Sequence, residues 1–364
     1  MRLSALCVTI SLFAAAAPAQ FEWNVWGRFE QGPGNIAVSP SGRVFVSMHQ
    51  FFGTEARVAE VKPDGTMTPF PNAALSTFSA GEPLSLDSVL GLRCDSAGNL
   101  WLLDNGMREK STPKLIAFNT ETGRLTQVIW LPSTVTRPDS FLNDLVVDES
   151  TRHVYIADPA GGANAALIVV DLSTGASRRV LEGHRSVVPE AGVELQIEGK
   201  FVEIKRPDGT TFRPSVGVNP IGADVANEWL YFGPMHGTML YRTPTAALRD
   251  LTLSPAQLAE KVEEYAKRPI SDGITIDKEG NIYISEVGRN AVGVIRGGTR
   301  QYETVAMNAA ISWPDAFSYG PDGRLYVVAN QLHRSAVLNA GVNETKPPFL
   351  IFTFKPFAPG VVGR

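Results

Sequence analysis

A chain of 364 residues with 44% hydrophobic content is long enough to bury a large core within one domain. Its 33 basic and 37 acidic residues leave a formal charge of -4, so no strong positive field exists to draw in nucleic acid or an anionic membrane surface. There are only two cysteines. Cys7 lies in an N-terminal apolar run, which leaves Cys94 alone, without a disulfide partner and suited to a small buried apolar position.

In chain order, Met1 and Arg2 give a short positive start, Leu3 to Ala17 is apolar, and Ala17-Pro18-Ala19 supplies a small-residue cleavage site. This pattern predicts a leader over residues 1–19, a mature chain from about Gln20, and a secreted or periplasmic location with no membrane association after cleavage. Phe21 to Phe29 (FEWNVWGRF) then alternates like a strand, as does Phe349 to Phe354 (FLIFTF) at the far end. Pairing the two would close a ring and hide a sheet edge.

Between these ends one phrase returns six times: an apolar strand, a turn usually carrying Gly, then an aromatic-rich strand. The copies are Ile36 to Ser47, Gly91 to Asp104, Leu145 to Asp158, Asp224 to Gly233, Gly273 to Glu286 and Ala316 to Asn330. They recur at intervals of roughly 45 to 60 residues, the spacing of propeller blades. The prediction is an all-β, six-bladed β-propeller in one domain over residues 20–364. Leu115 to Phe118 with Thr126 to Leu131, and Leu167 to Leu172 with Ser177 to Leu181, supply outer strands.

Two insertions interrupt the repeat. Val193 to Phe212 predicts one extra hairpin with a Pro207-Asp208-Gly209 turn beside blade four. Ser254, Pro255 and Gln257 predict a capped helix that runs to Lys267, with Leu258, Val262 and Tyr265 on one face. Trp101, Trp229 and Trp313 fall at blade-core positions. No nucleophile elbow, zinc-protease helix, phosphate loop or dinucleotide fingerprint is present.

The stretches LWLLDNG (Leu100 to Gly106), VYIADPAGG…ALIVVDL (Val154 to Leu172), LYFGPMHGTMLYRTPTAALRD (Leu230 to Asp250), SDGITIDKEGNIYIS (Ser271 to Ser285) and WPDAFSYGPDGRLYVVANQL (Trp313 to Leu332) resemble the yellow and major royal jelly protein family, in the family's order along nearly the whole mature chain. The resemblance implies export, six blades and a small-molecule pocket at the channel mouth. Its members are variously linked to dopachrome isomerisation, to binding of aromatic amines, or to no settled chemistry.

A site in such a ring is built where inner strands enter the channel. Counting five residues back from each hairpin turn gives Leu90, Asn143, Asp272 and Asp315, with Asn219 and Asp224 as alternatives in blade four. Asp144 follows Asn143, so one of the two enters the channel while the other braces the neighbouring blade. Asp272 and Asp315 also suit the capping of turns. Hard oxygens on separate strands suit Ca²⁺ or a similar divalent ion, with Asn143 and Asp272 as its ligands. This pattern is also similar to the gluconolactonase and paraoxonase propellers, in which blade one supplies a Glu. Here that stretch offers only Gln31 or Asn35, which weakens a metal-dependent lactonase or esterase reading.

Among the histidines, His184 is the first candidate for acid–base catalysis in an isomerase, with His49 and His236 as further lining candidates. His153 and His333 fall in a turn and a polar loop, where solvated roles are expected. The ligand set carried forward is Asn35, His49, Asn143, Asp144, His236, Asp272 and Asp315, with His184 as the catalytic candidate. A non-enzymatic binding protein is the third reading.

Overall fold

Six strand pairs of the same apolar–turn–aromatic type cannot each bury two faces alone, so they stack face to face about an axis. The computed structural model describes residues 21–364 and contains six four-stranded antiparallel sheets arranged as a six-bladed β-propeller. The expected leader, residues 1–19, lies outside the described residues.

Each of the first five blades runs from the channel outward in chain order. Their inner strands are Pro33–Val38, Val89–Cys94, Leu145–Asp148, Val218–Ala223 and Ser271–Ile276. Blade six starts with Pro314–Tyr319 and Leu325–Ala329, continues with Phe349–Phe354, and is completed by Trp23–Phe29 from the other end of the chain. That last pairing is antiparallel from Trp23 opposite Phe354 to Phe29 opposite Phe349, the clasp the two alternating segments predict. Neighbouring inner strands pack in sequence and the sixth returns to the first, so the ring is closed.

The core is a set of apolar layers between blades. Phe45, Leu92, Leu102 and Phe118 fill one such layer between blades one and two, and Phe29, Ile36, Val46 and Ile351 fill another between blades six and one. Cys94 sits in the first of these layers, free and buried, and burial pushes its thiol far above the usual range. It is an inert packing residue.

Three expectations are corrected. The fourth hairpin begins upstream of Asp224, because Asp224 itself sits in the turn, where its side chain accepts from the Glu228 and Trp229 N–H groups. The insertion after blade three folds as two short hairpins, Gln196–Ile197 with Lys200–Phe201 and Ile204–Lys205 with Thr211–Phe212. Glu198 and Gly199 both take left-handed φ values, which makes the additional tight turn. The capped helix forms its Ser254–Gln257 capping box but spans only Pro255–Ala259. Glu263–Lys267 is a strand instead, since the open edge of Met239–Pro244 offers it a full ladder. Two further short helices, Ala73–Ser76 and Thr245–Arg249, were not foreseen.

Residues 355–364 cross the end of the channel at which the inner strands finish. Tyr319 N–H donates to the Arg364 carbonyl, Cys94 N–H to that of Gly363, and Lys278 N–H to that of Pro359. The Arg364 guanidinium donates to the Val147 and Asp224 carbonyls. The channel therefore opens at its other end.

Candidate ligand site at the channel mouth

Five of the six inner strands carry a register irregularity at their channel entrance, spanning Pro33 to Ile36, Val89 to Leu92, Val218 to Ile221, Ser271 to Ile274 and Pro314 to Phe317. A bulge breaks the alternation of side chains and re-aims one of them. The residues inside these irregularities include Asn35, Leu90, Asn219, Asp272 and Asp315, and all five line one cavity with Asn143 of blade three. The amides a bulge leaves unpaired find side-chain acceptors. Asn35 N–H donates to Ser47 Oγ, and the Asp272 and Gly273 N–H groups both donate to Ser285 Oγ. Glycine follows the site residue where the next blade's backbone comes close. A Cβ at Gly273 would lie 2.3 Å from the Asp315 carbonyl oxygen, and one at Gly91 would lie 2.7 Å from that of Asn143.

The cavity has a volume of about 560 Å³. Its walls are apolar and aromatic: Phe51, Leu90, Phe141, Met235, Trp313 and Leu332 from the blades, with Leu195, Val202, Ile204 and Phe212 from the double hairpin that covers part of the mouth. That insertion is tied across the opening. Glu198 accepts from Arg334 Nη2 at 2.8 and 2.9 Å and from Asn290 Nδ2 at 2.9 Å, and Lys200 pairs with Glu344 at 3.2 Å.

The floor is a directed chain of polar groups. Asp272 is buried, its Oδ1 accepting from Asn219 Nδ2 at 2.7 Å and its Oδ2 from Trp313 Nε1 at 2.7 Å. A carboxylate needs a donor, which turns the Asn219 amide nitrogen toward it and leaves the Asn219 oxygen to accept from Asn143 Nδ2. Asp315 shows part of its surface to the cavity and accepts from Asn330 Nδ2 at 2.6 Å through Oδ2. Burial pushes the Asp272 carboxyl up to about 7. Burial, then the charge of Asp272, holds Asp315 well above the carboxylate range.

One layer below, Asp144 and Arg93 form an ion pair at 2.9 Å with both side chains 6% exposed. Asn35 closes this layer, donating to Asp144 Oδ1 at 3.2 Å and accepting from Arg93 Nη1 at 2.9 Å and from Ile36 N–H at 2.7 Å. Burial still raises Asp144.

Two histidines line the cavity in fixed tautomers. His49 Nδ1 accepts from Phe51 N–H at 3.2 Å, and His236 Nδ1 accepts from Val216 N–H at 3.1 Å, so each neutral ring carries its proton on Nε2. Burial, aided by Arg108, lowers His49 to about 3, and burial lowers His236 to about 4. The His236 Nε2 is buried without a partner.

The structure thus brings together Asn35, His49, Asn143, His236, Asp272 and Asp315 of the expected set, and resolves blade four in favour of Asn219. Two expected residues lie elsewhere. Asp144 is the brace of the Asn143-Asp144 pair and does not line the cavity. His184 does not line it either; its ring is held by Ser186 Oγ at 2.8 Å in the loop that leaves blade three, so the catalytic role expected of it does not match the geometry. His333, expected in solvent, is 9% exposed and stacks on Trp313 with ring centres 6.0 Å apart. Sequence reasoning missed Arg93 and the Trp313 indole as site components. Arg93 lay in a strand among apolar residues, and Trp313 carried only the general signal of a core aromatic.

The donors do not fit a calcium ion. Asp272, beside Asn219, already accepts N–H bonds on both oxygens, and its neighbour Asp315 has only Oδ1 free. The blade-one oxygen of Asn35 is occupied by a guanidinium, a cation the fold supplies itself. Among the described residues no group of three or more His, Cys, Asp or Glu side chains is disposed to hold a metal ion.

The family model described as major royal jelly protein matches residues 87–352. No curated protein sequence matches the chain. Among solved structures it is similar to a luciferin-regenerating enzyme (11% identity, TM-score 0.59, 94% of this chain and 98% of that one). It is similar to a gluconolactonase from Xanthomonas campestris (12%, 0.57, 94% and 96%). It is also similar to regucalcin, a calcium-binding protein from Agrobacterium tumefaciens (16%, 0.55, 96% and 100%). At these identities the likeness carries the fold alone.

Proposed function

Since this chain belongs to the major royal jelly protein family, we propose that it is an exported propeller that binds a small aromatic or cyclic molecule at the channel mouth and isomerises it. One observation carries this reading: a cavity of about 560 Å³ with aromatic walls ends in a floor of convergent polar groups on separate blades. A ring of one or two fused cycles matches that volume and apolar lining. Asn143, Asp272, Asp315 and the two Nε2–H groups then supply acceptors and donors for its polar substituents. The leader-like residues 1–19 support export.

Isothermal titration against catechols, indole amines and sugar lactones tests the reading, with Asn143→Ala and Asp272→Ala as controls. Binding of a ring compound that weakens at least tenfold in both variants is the expected result. Unchanged affinity in both would remove those residues from the site. The metal-dependent lactonase reading rests on Asn143 and Asp272 at equivalent strand entries. Lactone hydrolysis that requires added Ca²⁺ and stops with EDTA would favour it; a lactone panel left intact with and without Ca²⁺ would end it.

A further inference from the structure

Taking the channel mouth as the ligand site, as just argued, we propose that its chemistry is proton transfer without a metal, with Asp272 as base and Asp315 as acid over a floor whose fixed cation is Arg93. The roles follow from unequal surroundings. Asp272 receives two N–H donors on its two oxygens, Asn219 Nδ2 and Trp313 Nε1, and such donors stabilise the ionised form. Asp315 receives one, from Asn330 onto Oδ2, and no hydrogen bond reaches its Oδ1. Two neighbouring carboxyls, one buried and one facing the cavity, cannot both ionise cheaply, so a single shared proton settles on the one with fewer donors.

The layer beneath fixes the charge. Arg93 is committed to Asp144 and Asn35, so it neutralises that layer and leaves the pair above with one proton and one negative charge. Where a metal-dependent propeller would need a cation, the guanidinium already stands. An independent observation points to an occupant: His236 is 1% exposed, and its Nε2–H is buried and unpartnered among the cavity residues. A buried donor without an acceptor costs free energy unless a ligand oxygen meets it.

The step balances without an oxidant or reductant. Asp272 takes a proton from a ring carbon next to a carbonyl; the C–H electron pair becomes a C=C bond, and the carbonyl oxygen takes the charge. A neutral Nε2–H donor stabilises that oxygen. Asp315 returns its proton to the far end of the conjugated system, so one C–H bond breaks, another bond to hydrogen forms, and the ligand's formula is unchanged. Asp272 ends protonated and Asp315 ionised, and the proton returns from one to the other before the next cycle.

The test uses the mature chain with 2-tetralone, a neutral fused-ring ketone with acidic ring C–H bonds, in D₂O. Deuterium uptake is read by mass spectrometry above the buffer rate, beside calorimetry on the same samples. We expect exchange that EDTA does not alter, that falls about 100-fold in Asp272→Asn, and that falls in Asp315→Asn, while affinity changes less than tenfold. A difference infrared spectrum at about pH 8.5, above the range to which burial raises Asp272, gives a second readout: a protonated carboxyl band that persists in Asp272→Asn and is lost in Asp315→Asn. Wild-type exchange rates in Asp272→Asn, exchange that needs Ca²⁺, or a band that survives Asp315→Asn each overturn the proposal. Binding without exchange sinks the proton shuttle alone, whereas absence of binding by 2-tetralone and by every compound of the titration panel sinks the ligand-site reading beneath it.

Discussion

Removing the Arg93 guanidinium would leave Asp144 as an uncompensated charge where both partners are 6% exposed. Breaking a buried pair from one side costs about 3–5 kcal/mol, so Arg93→Met should lose that much in urea unfolding, and adding Asp144→Leu should recover most of it. The titrating groups set opposite pH limits. The Asp272 carboxyl, raised to about 7, keeps in the native state a proton that the unfolded chain releases from its usual value of 3.8 upward. Its contribution is therefore present at low pH and lost as pH rises toward 7. Asp272→Asn should raise Tm relative to wild type more at pH 8 than at pH 4, read by calorimetry. His49 and His236, lowered to about 3 and about 4, refuse protons that the unfolded chain takes up below 6.5, so their contribution fades as pH falls. Asn143, Asp272 and Asp315 were legible by counting back from a turn, because a strand's period is fixed. Arg93 and Trp313 were not, because their polar ends act on residues of other blades and no local pattern records a contact made 41 or 51 positions away.

At the scale of elements, the bulge is the device that turns a repeated hairpin into a site. Gly273→Ala tests it: the new Cβ would meet the Asp315 carbonyl at 2.3 Å, so we expect a loss of about 1–3 kcal/mol and weaker ligand binding together. The double hairpin over the mouth is held by half-exposed ion pairs, which contribute little to stability. Arg334→Ala removes the Glu198 contact and should shift unfolding by less than about 1 kcal/mol while speeding ligand release several-fold in stopped-flow. The helix expected up to Lys267 failed for an elementary reason. Its capping box was real, but five residues satisfied it, and the unpaired edge of Met239–Pro244 captured Glu263–Lys267 as a strand. Capping signals mark where a helix starts; the neighbouring sheet edge decides where it stops.

For the whole molecule, ring closure depends on the two ends of the described chain. Trp23–Phe29 completes blade six, and residues 355–364 bridge the finishing ends of inner strands from blades two to six. Truncation after Lys355 should lower Tm and expose the Cys94 and Tyr319 amides to hydrogen exchange, while affinity at the opposite mouth stays within about twofold. Loss of affinity equal to the loss of stability would mean that the two ends of the channel are coupled. The blade count, the clasp and the strand entries of blades two, three, five and six were determined by the sequence itself, because each follows from a local period of two and from turn residues a few positions apart. Only the tertiary structure decided that Asn219 rather than Asp224 joins Asn143, that His184 stays out of the cavity, and that a guanidinium underlies the floor. Those outcomes depend on which side chains meet across the axis, and burial there sets protonation and pairing through neighbours from several different blades.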